Sequence, residues 1–115
     1  MKLLKPSLRE KKRYVLFQIR GSSWEESRNE ILAKIKSFAG DFLFGISGIM
    51  VVENLSKGSF FVLKVNRKYI NLLKASIIFI NEANNQKVQI VSLLVSGSLL
   101  KIKRRIQEVK LNGSK

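Results

Sequence analysis

Between residues 13 and 20 the side chains alternate. Val15, Phe17 and Ile19 point one way, and Tyr14, Leu16 and Gln18 the other. Period two with aromatic and β-branched residues predicts a strand. Gly21-Ser22-Ser23 ends it, and Ser22 with Glu25, or Ser23 with Glu26, has the spacing of a capping box. The period then lengthens: Ile31, Leu32, Ile35, Phe38 and Ala39 share one face of a helix predicted over 24–39 and stopped by Gly40. Phe42, Leu43 and Phe44 fit either an extension of that helix or a buried turn. Residues 49–54 predict a second strand, 56–58 a hairpin turn and 59–65 a third strand. In the third strand Phe61, Leu63 and Val65 make an apolar face, and Phe60, Val62 and Lys64 a mixed one. Asn66 is placed to cap a second helix, 67–81, with Tyr69, Ile70, Leu73, Ile77 and Ile80 along one side. Residues 81–86, NEANNQ, are a polar turn, and 87–96 a fourth strand rich in Val, Ile and Leu. Gly97 or Ser98 opens a last helix, 99–109, with Leu99, Ile102, Ile106 and Val109 on one face.

The order β-α-β-β-α-β-α predicts an α+β fold, ferredoxin-like (split β-α-β). Four antiparallel strands would carry helices packed on one face, with an extra C-terminal helix. The length suits a single domain, 1–115, with a basic N-terminal arm, 1–12, and a basic C-terminal tail, 107–115. Helix 67–81 holds more apolar surface than one sheet face can cover, as Leu72, Ile78 and Phe79 widen its stripe. Ile70, Leu73, Ile77 and Ile80 are therefore candidate protein-interface residues, for a partner or a second copy. The apolar face of the last helix could lie over the sheet's other side.

Charge then narrows the function. Lys and Arg number 22 against 8 Asp and Glu, a formal +14, on a chain that is 45% hydrophobic. That is a folded polycation rather than a disordered one, and its partners should be polyanions. Residues 1–13 carry six cations against Glu10, and residues 101–115 six against Glu108. The two ends thus supply most of the excess, either as solvated tails or as arms that bind a polyanion. The chain has no His, no Cys and a single Asp, Asp41. Such a chain lacks the nucleophiles, metal ligands and paired carboxylates of an enzyme acting alone, so no catalytic and no metal residues are expected. No signal peptide is read at the N-terminus. The apolar stretch 42–52 is too short to span a bilayer, so no membrane association is expected and a cytoplasmic location is.

Four local features carry two readings each. Lys57-Gly58-Ser59-Phe60-Phe61-Val62 matches the third-strand signature of an RNA-recognition module at Lys57, Gly58, Phe61 and Val62, but fails at Ser59 and Phe60. Core aromatics explain it better. Trp24, beside the first helix start, reads as a hydrophobic staple or surface cover. Arg67 and Lys68 occupy the first turn of a predicted helix, where the dipole disfavours cations, so phosphate contact weighs evenly against a chance surface pair. Glu25, Glu26 and Glu30 could in principle hold a divalent ion, but a capping and helix-dipole role fits them far better.

Longer stretches, Lys2 to Arg9, Lys11 to Phe17, Leu63 to Ile70 and Val91 to Leu99, resemble the archaeal ribonuclease P protein component 2 family, shared with a eukaryotic ribonuclease P and MRP subunit. The pieces "LREKKRY" and "RKY" are the most specific. The resemblance implies a non-catalytic subunit of the ribonucleoprotein that trims the 5′ leader from precursor tRNA. The catalyst would be the ribonuclease P RNA with Mg²⁺, so no cofactor is expected on this chain. It implies pairing with ribonuclease P protein component 3, and contact with precursor tRNA only indirectly. The expected RNA-contacting residues are Lys5, Arg9, Lys11, Lys12, Arg13, Arg67, Lys68, Lys101, Arg104 and Arg105. A ribosomal protein and a homodimeric ferredoxin-like ligand-binding module are the alternatives.

Overall fold

The computed structural model describes residues 11–113. A four-stranded antiparallel sheet has the order β2-β3-β1-β6, built from β1 (Lys12–Arg20), β2 (Met50–Val51), β3 (Phe60–Asn66) and β6 (Gln89–Ser96). This is the ferredoxin-like order, with the first strand in the middle, as the pattern predicted. A small hairpin, β4 (Glu82–Ala83) and β5 (Gln86–Lys87), forms a second sheet. Asn84 and Asn85 turn it with φ of 55° and 60°, the left-handed pair that tight hairpins select.

One face of the main sheet packs on α1 (Trp24–Ala39) and α3 (Ile70–Ile78). Phe17, Phe61, Leu63, Ile31, Ile35 and Leu73 are buried between these layers. The other face is covered by α4 (Leu99–Gly113), whose Ile102 and Ile106 bury against Leu16, Phe60 and Val62. The sheet therefore has a core on both sides, and α4 is needed for one of them. Ser98 starts α4, its hydroxyl accepting from Lys101 N–H.

Several elements differ from the pattern. The ambiguous segment after Gly40 is a short helix, α2 (Asp41–Ser47), closed by Gly48 in the left-handed region. Strand two shrinks to Met50–Val51, because residues 53–55 turn in a 3₁₀ helix. The second helix begins with a 3₁₀ turn, Arg67–Tyr69, and ends at Ile78 rather than 81. Asn66 does not cap it with its side chain, which is engaged elsewhere. Residues 107–113 continue α4 as helix rather than forming a tail.

Trp24 is neither a staple nor a surface cover. It is 1% exposed and stacks on Phe61 with ring centroids 4.3 Å apart and planes 13° apart. Phe17 stacks on the other side of the same Phe61, at 5.0 Å. This aromatic stack absorbs the Phe61 of the RNA-module-like stretch into the core. No helix among the described residues is long and apolar enough to cross a membrane.

Candidate nucleic-acid interface

Antiparallel order brings three chain segments to one end of the sheet. β1 starts there, β3 ends there, and β6 ends there before α4 begins. The register pairs Lys12 with Asn66 and Tyr14 with Ser96. Beyond the last sheet pair, Arg67 N–H donates to Lys11 C=O at 2.6 Å, so the two basic segments are tied by their backbones. Lys11, Lys12, Arg13, Arg67 and Lys68 thus share one end of the sheet, although residues 13 and 67 are far apart in sequence.

Asn66 organises this end. It is 4% exposed. Its Nδ2 donates to Ile46 C=O at 2.8 Å, tying β3 to α2, and its Oδ1 accepts from Lys12 Nζ. Gly48 has φ of 69°, and a side chain there would meet Asn66 Oδ1 and Lys12 Nζ at 3.0 Å. Close backbone approach is therefore required at that position. Arg13 lies beside Gly97, and its Nη1 donates to Lys12 C=O at 2.9 Å. The strand-end hydrogen bonds leave Lys11, Arg67 and Lys68 exposed.

The remaining candidates divide. Lys101 is exposed in the first turn of α4, and Arg104 one turn further along. Together with exposed Lys103 they extend a basic band from the sheet end along the outer side of α4. Arg105 is half-buried and its Nη1 lies 3.3 Å from Glu108, an exposed pair of little energetic weight. Lys5 and Arg9 lie outside the described residues. The first-turn argument for Arg67 and Lys68 changes, because they precede α3 in a 3₁₀ turn and do not sit on an α-helix terminus.

The candidate interface residues of the second helix do not form a surface. Leu73, Ile77 and Ile80 belong to the core between sheet and helices, and Ile70 packs at its margin. The unburied apolar surface lies next to them instead. Ile78 is 76% exposed and Phe79 70%, and Phe79 stacks on Phe38 of α1 at 5.3 Å. Phe42, Ile46 and Met50, on α2 and β2, are exposed as well. The error was one of phase: these side chains sit at the ends of short helices, where the sheet no longer covers them.

Glu25 and Glu30 each hold a backbone N–H. Glu25 accepts from Gly58 N–H at 3.1 and 3.2 Å and so anchors the turn before β3. Glu26 N–H donates to Ser23 Oγ at 3.3 Å, the N-cap half of the predicted box. Glu30 accepts from Asn84 N–H at 2.7 Å and pairs with Lys34, and these two partners hold its carboxyl below the usual carboxylate range. Arg28 forms a two-point pair with Glu53, at 2.7 and 2.9 Å, which lowers the Glu53 carboxyl in the same way. Among the described residues no cluster of three His, Cys, Asp or Glu could hold a metal ion.

A split β-α-β sheet, closed on its second face by a helix and carrying its cations at one end, defines a small basic α+β module. The chain belongs to the Rpp14/Pop5 family, whose profile matches residues 13–107. It is 33% identical over 112 residues to a protein of Methanococcus vannielii named ribonuclease P protein component 2, covering 95% of this chain and 85% of that protein. The proteins of the same name from Methanocaldococcus jannaschii and Pyrococcus horikoshii are 31% and 27% identical, over 96% and 91% of this chain and 83% and 90% of theirs. In shape the chain is similar to a subunit in the cryo-EM structure of yeast ribonuclease MRP, with a TM-score of 0.60, 14% identity and coverage of 92% of this chain and 96% of that one.

Proposed function

We propose that this chain is an RNA-binding protein subunit of ribonuclease P, supporting the RNA-catalysed removal of the 5′ leader from precursor tRNA. The observation that carries the reading is the meeting of Lys11, Lys12, Arg13, Arg67 and Lys68 at one end of the sheet, in a member of the Rpp14/Pop5 family. Five cations on a fixed frame neutralise phosphates without reading base sequence, which suits a subunit that steadies a folded RNA.

Catalysis and Mg²⁺ belong to the RNA in this reading. Glu25 and Glu30 of the first helix are committed to backbone N–H groups, and the chain has no His or Cys. Precursor tRNA is then met through the RNA subunit. Protein component 3 is the protein partner, and the exposed Phe38, Phe79 and Ile78, with Phe42 and Ile46, are the surface we assign to it. Self-association through that surface is the fallback when component 3 is missing. The site of action is the cytoplasm.

Reconstitution tests the reading. The chain, the cognate ribonuclease P RNA and component 3 should together cleave precursor tRNA at the 5′ site, and the chain alone should not. Arg67→Ala with Lys68→Ala should weaken the reconstituted activity while leaving thermal stability unchanged. Correct cleavage by RNA-free protein, or full activity of the double variant, would overturn it.

A further inference from the structure

β6 is an open edge. It pairs with β1 on one side, and among the described residues no strand pairs with its other side. None of its eight residues is buried, whereas all but one residue of β3 is. Its sequence, Gln-Ile-Val-Ser-Leu-Leu-Val-Ser, holds neither a charge nor a proline, two of the devices by which natural edges refuse another strand. A bulge at Leu93, between the pairs Leu16–Leu94 and Phe17–Ser92, leaves Gln89–Ser92 as an uninterrupted run. Alternate N–H and C=O groups of that run point away from β1.

The ground beside the run is shaped. A groove of about 350 Å³ opens between β6 and α3, lined by Ile77, Ile78, Ile90, Val91 and Ser92, with Lys74 at its margin. A second, of about 300 Å³, continues from Lys74 along Ser92 to Val95. Lys74 borders both, and among the described residues it has no carboxylate partner.

We propose that the β6 edge takes up an extended segment of a partner protein as an added strand. Its α3-facing side chains are apolar beside Ile78 and Ile90 and acidic beside Lys74. Main-chain hydrogen bonds supply affinity, and the groove supplies selectivity at alternate positions. Charge decides the occupant. A second copy would bring another +14 chain, and a second Lys74, against the same edge. A nucleic acid has no peptide ladder to offer. The inference concerns a different face from the cation cluster and stands independently of RNA binding.

The test titrates the isotope-labelled full chain with a short acetylated peptide in which threonine alternates with two valines and then two glutamates, and with its reversed-order counterpart. Amide shifts and slowed hydrogen exchange should appear at Gln89–Val95 and Lys74–Ile78 for one of them. Lys74→Glu should weaken that peptide roughly tenfold, as a cross-strand attraction becomes a repulsion. A peptide with lysine in place of glutamate should recover affinity for the variant. No shift, or shifts elsewhere, would overturn the inference. So would a dimer in sedimentation that Val91→Lys disperses, which makes the occupant a second copy. Binding that appears only after residues 1–10 are deleted would give the edge to the chain's own N-terminal segment. RNA affinity measured on the same samples separates these failures from any failure of the RNA-binding reading.

Discussion

Replacing Asn66 by alanine removes both ends of the clasp that joins β3, α2 and Lys12. The bond from Nδ2 to Ile46 C=O, 2.8 Å, is a neutral one worth about 0.5–1.5 kcal/mol. The bond from Lys12 Nζ to Oδ1 is charge-assisted and worth about 1.5–3 kcal/mol. Asn66 is buried but Ile46 and Lys12 are exposed, so water can take over part of each lost bond and the combined loss should be roughly 1–3 kcal/mol. Urea unfolding should show this as a lower midpoint at unchanged slope. Lys12 also loses the acceptor that fixes it, and RNA affinity should fall by about 2- to 10-fold from the ordering it must now undergo on binding. Asn66→Asp keeps an acceptor for Lys12 but turns an oxygen toward Ile46 C=O and sets a negative charge among the phosphate-binding cations, so stability and RNA affinity should both fall, the affinity most at low salt. A stability change below ~0.5 kcal/mol in the alanine variant, with RNA affinity unchanged, would refute the clasp.

Three further outcomes follow from the same geometry. Arg67→Ala with Lys68→Ala should flatten the log–log salt dependence of RNA binding by about 1.4–1.8 units, at 0.7–0.9 per phosphate contact, and an unchanged slope would remove these residues from the interface. Gly21→Ala should fail to fold or lose several kcal/mol, because φ is +98° and the new Cβ would lie 2.2 Å from Lys87 C=O, which a thermal melt checks directly. Glu30 and Glu53 have folded-state pKa values below their unfolded ones, so their contribution is full above the unfolded value and is lost as pH falls through the folded value. Stability should therefore drop below roughly pH 4.3, and Glu30→Gln with Glu53→Gln should shallow that acid limb in melts across pH.

The long elements were legible because their periods are unbroken. β1, α1, β3 and α4 fall close to where the alternation and the i, i+3, i+4 spacing put them, and Ile102 and Ile106 lie on the second sheet face as their stripe allowed. What failed was short or depended on a neighbour. Phe42-Leu43-Phe44 carries no distinguishing period over the seven residues of α2, so the pattern fits a helix and a buried turn equally. Asn66 has the composition of a helix cap, but Lys12 and Ile46 reach its side chain first. Phe38 lies on the apolar face of α1 by spacing, yet α3 ends at Ile78 and Phe38 stacks on Phe79 in the open. The basic cluster was half readable. Each run of cations is plain in the sequence, but their meeting at one end depends on β1 lying between β3 and β6.

That central position of β1 also sets how the chain must fold. Its first neighbour, β3, pairs Lys12 with a residue 54 positions later, and β6 lies further on still. A ribosome therefore releases the central strand of the sheet well before either flank exists. Loop-closure entropy must be met before any of these pairings is rewarded, which makes folding slower than that of a helix bundle whose contacts are local. During that interval Val15, Leu16, Phe17 and Ile19 are an unpaired apolar strand, the kind of segment that chaperones shield and that aggregates seed from.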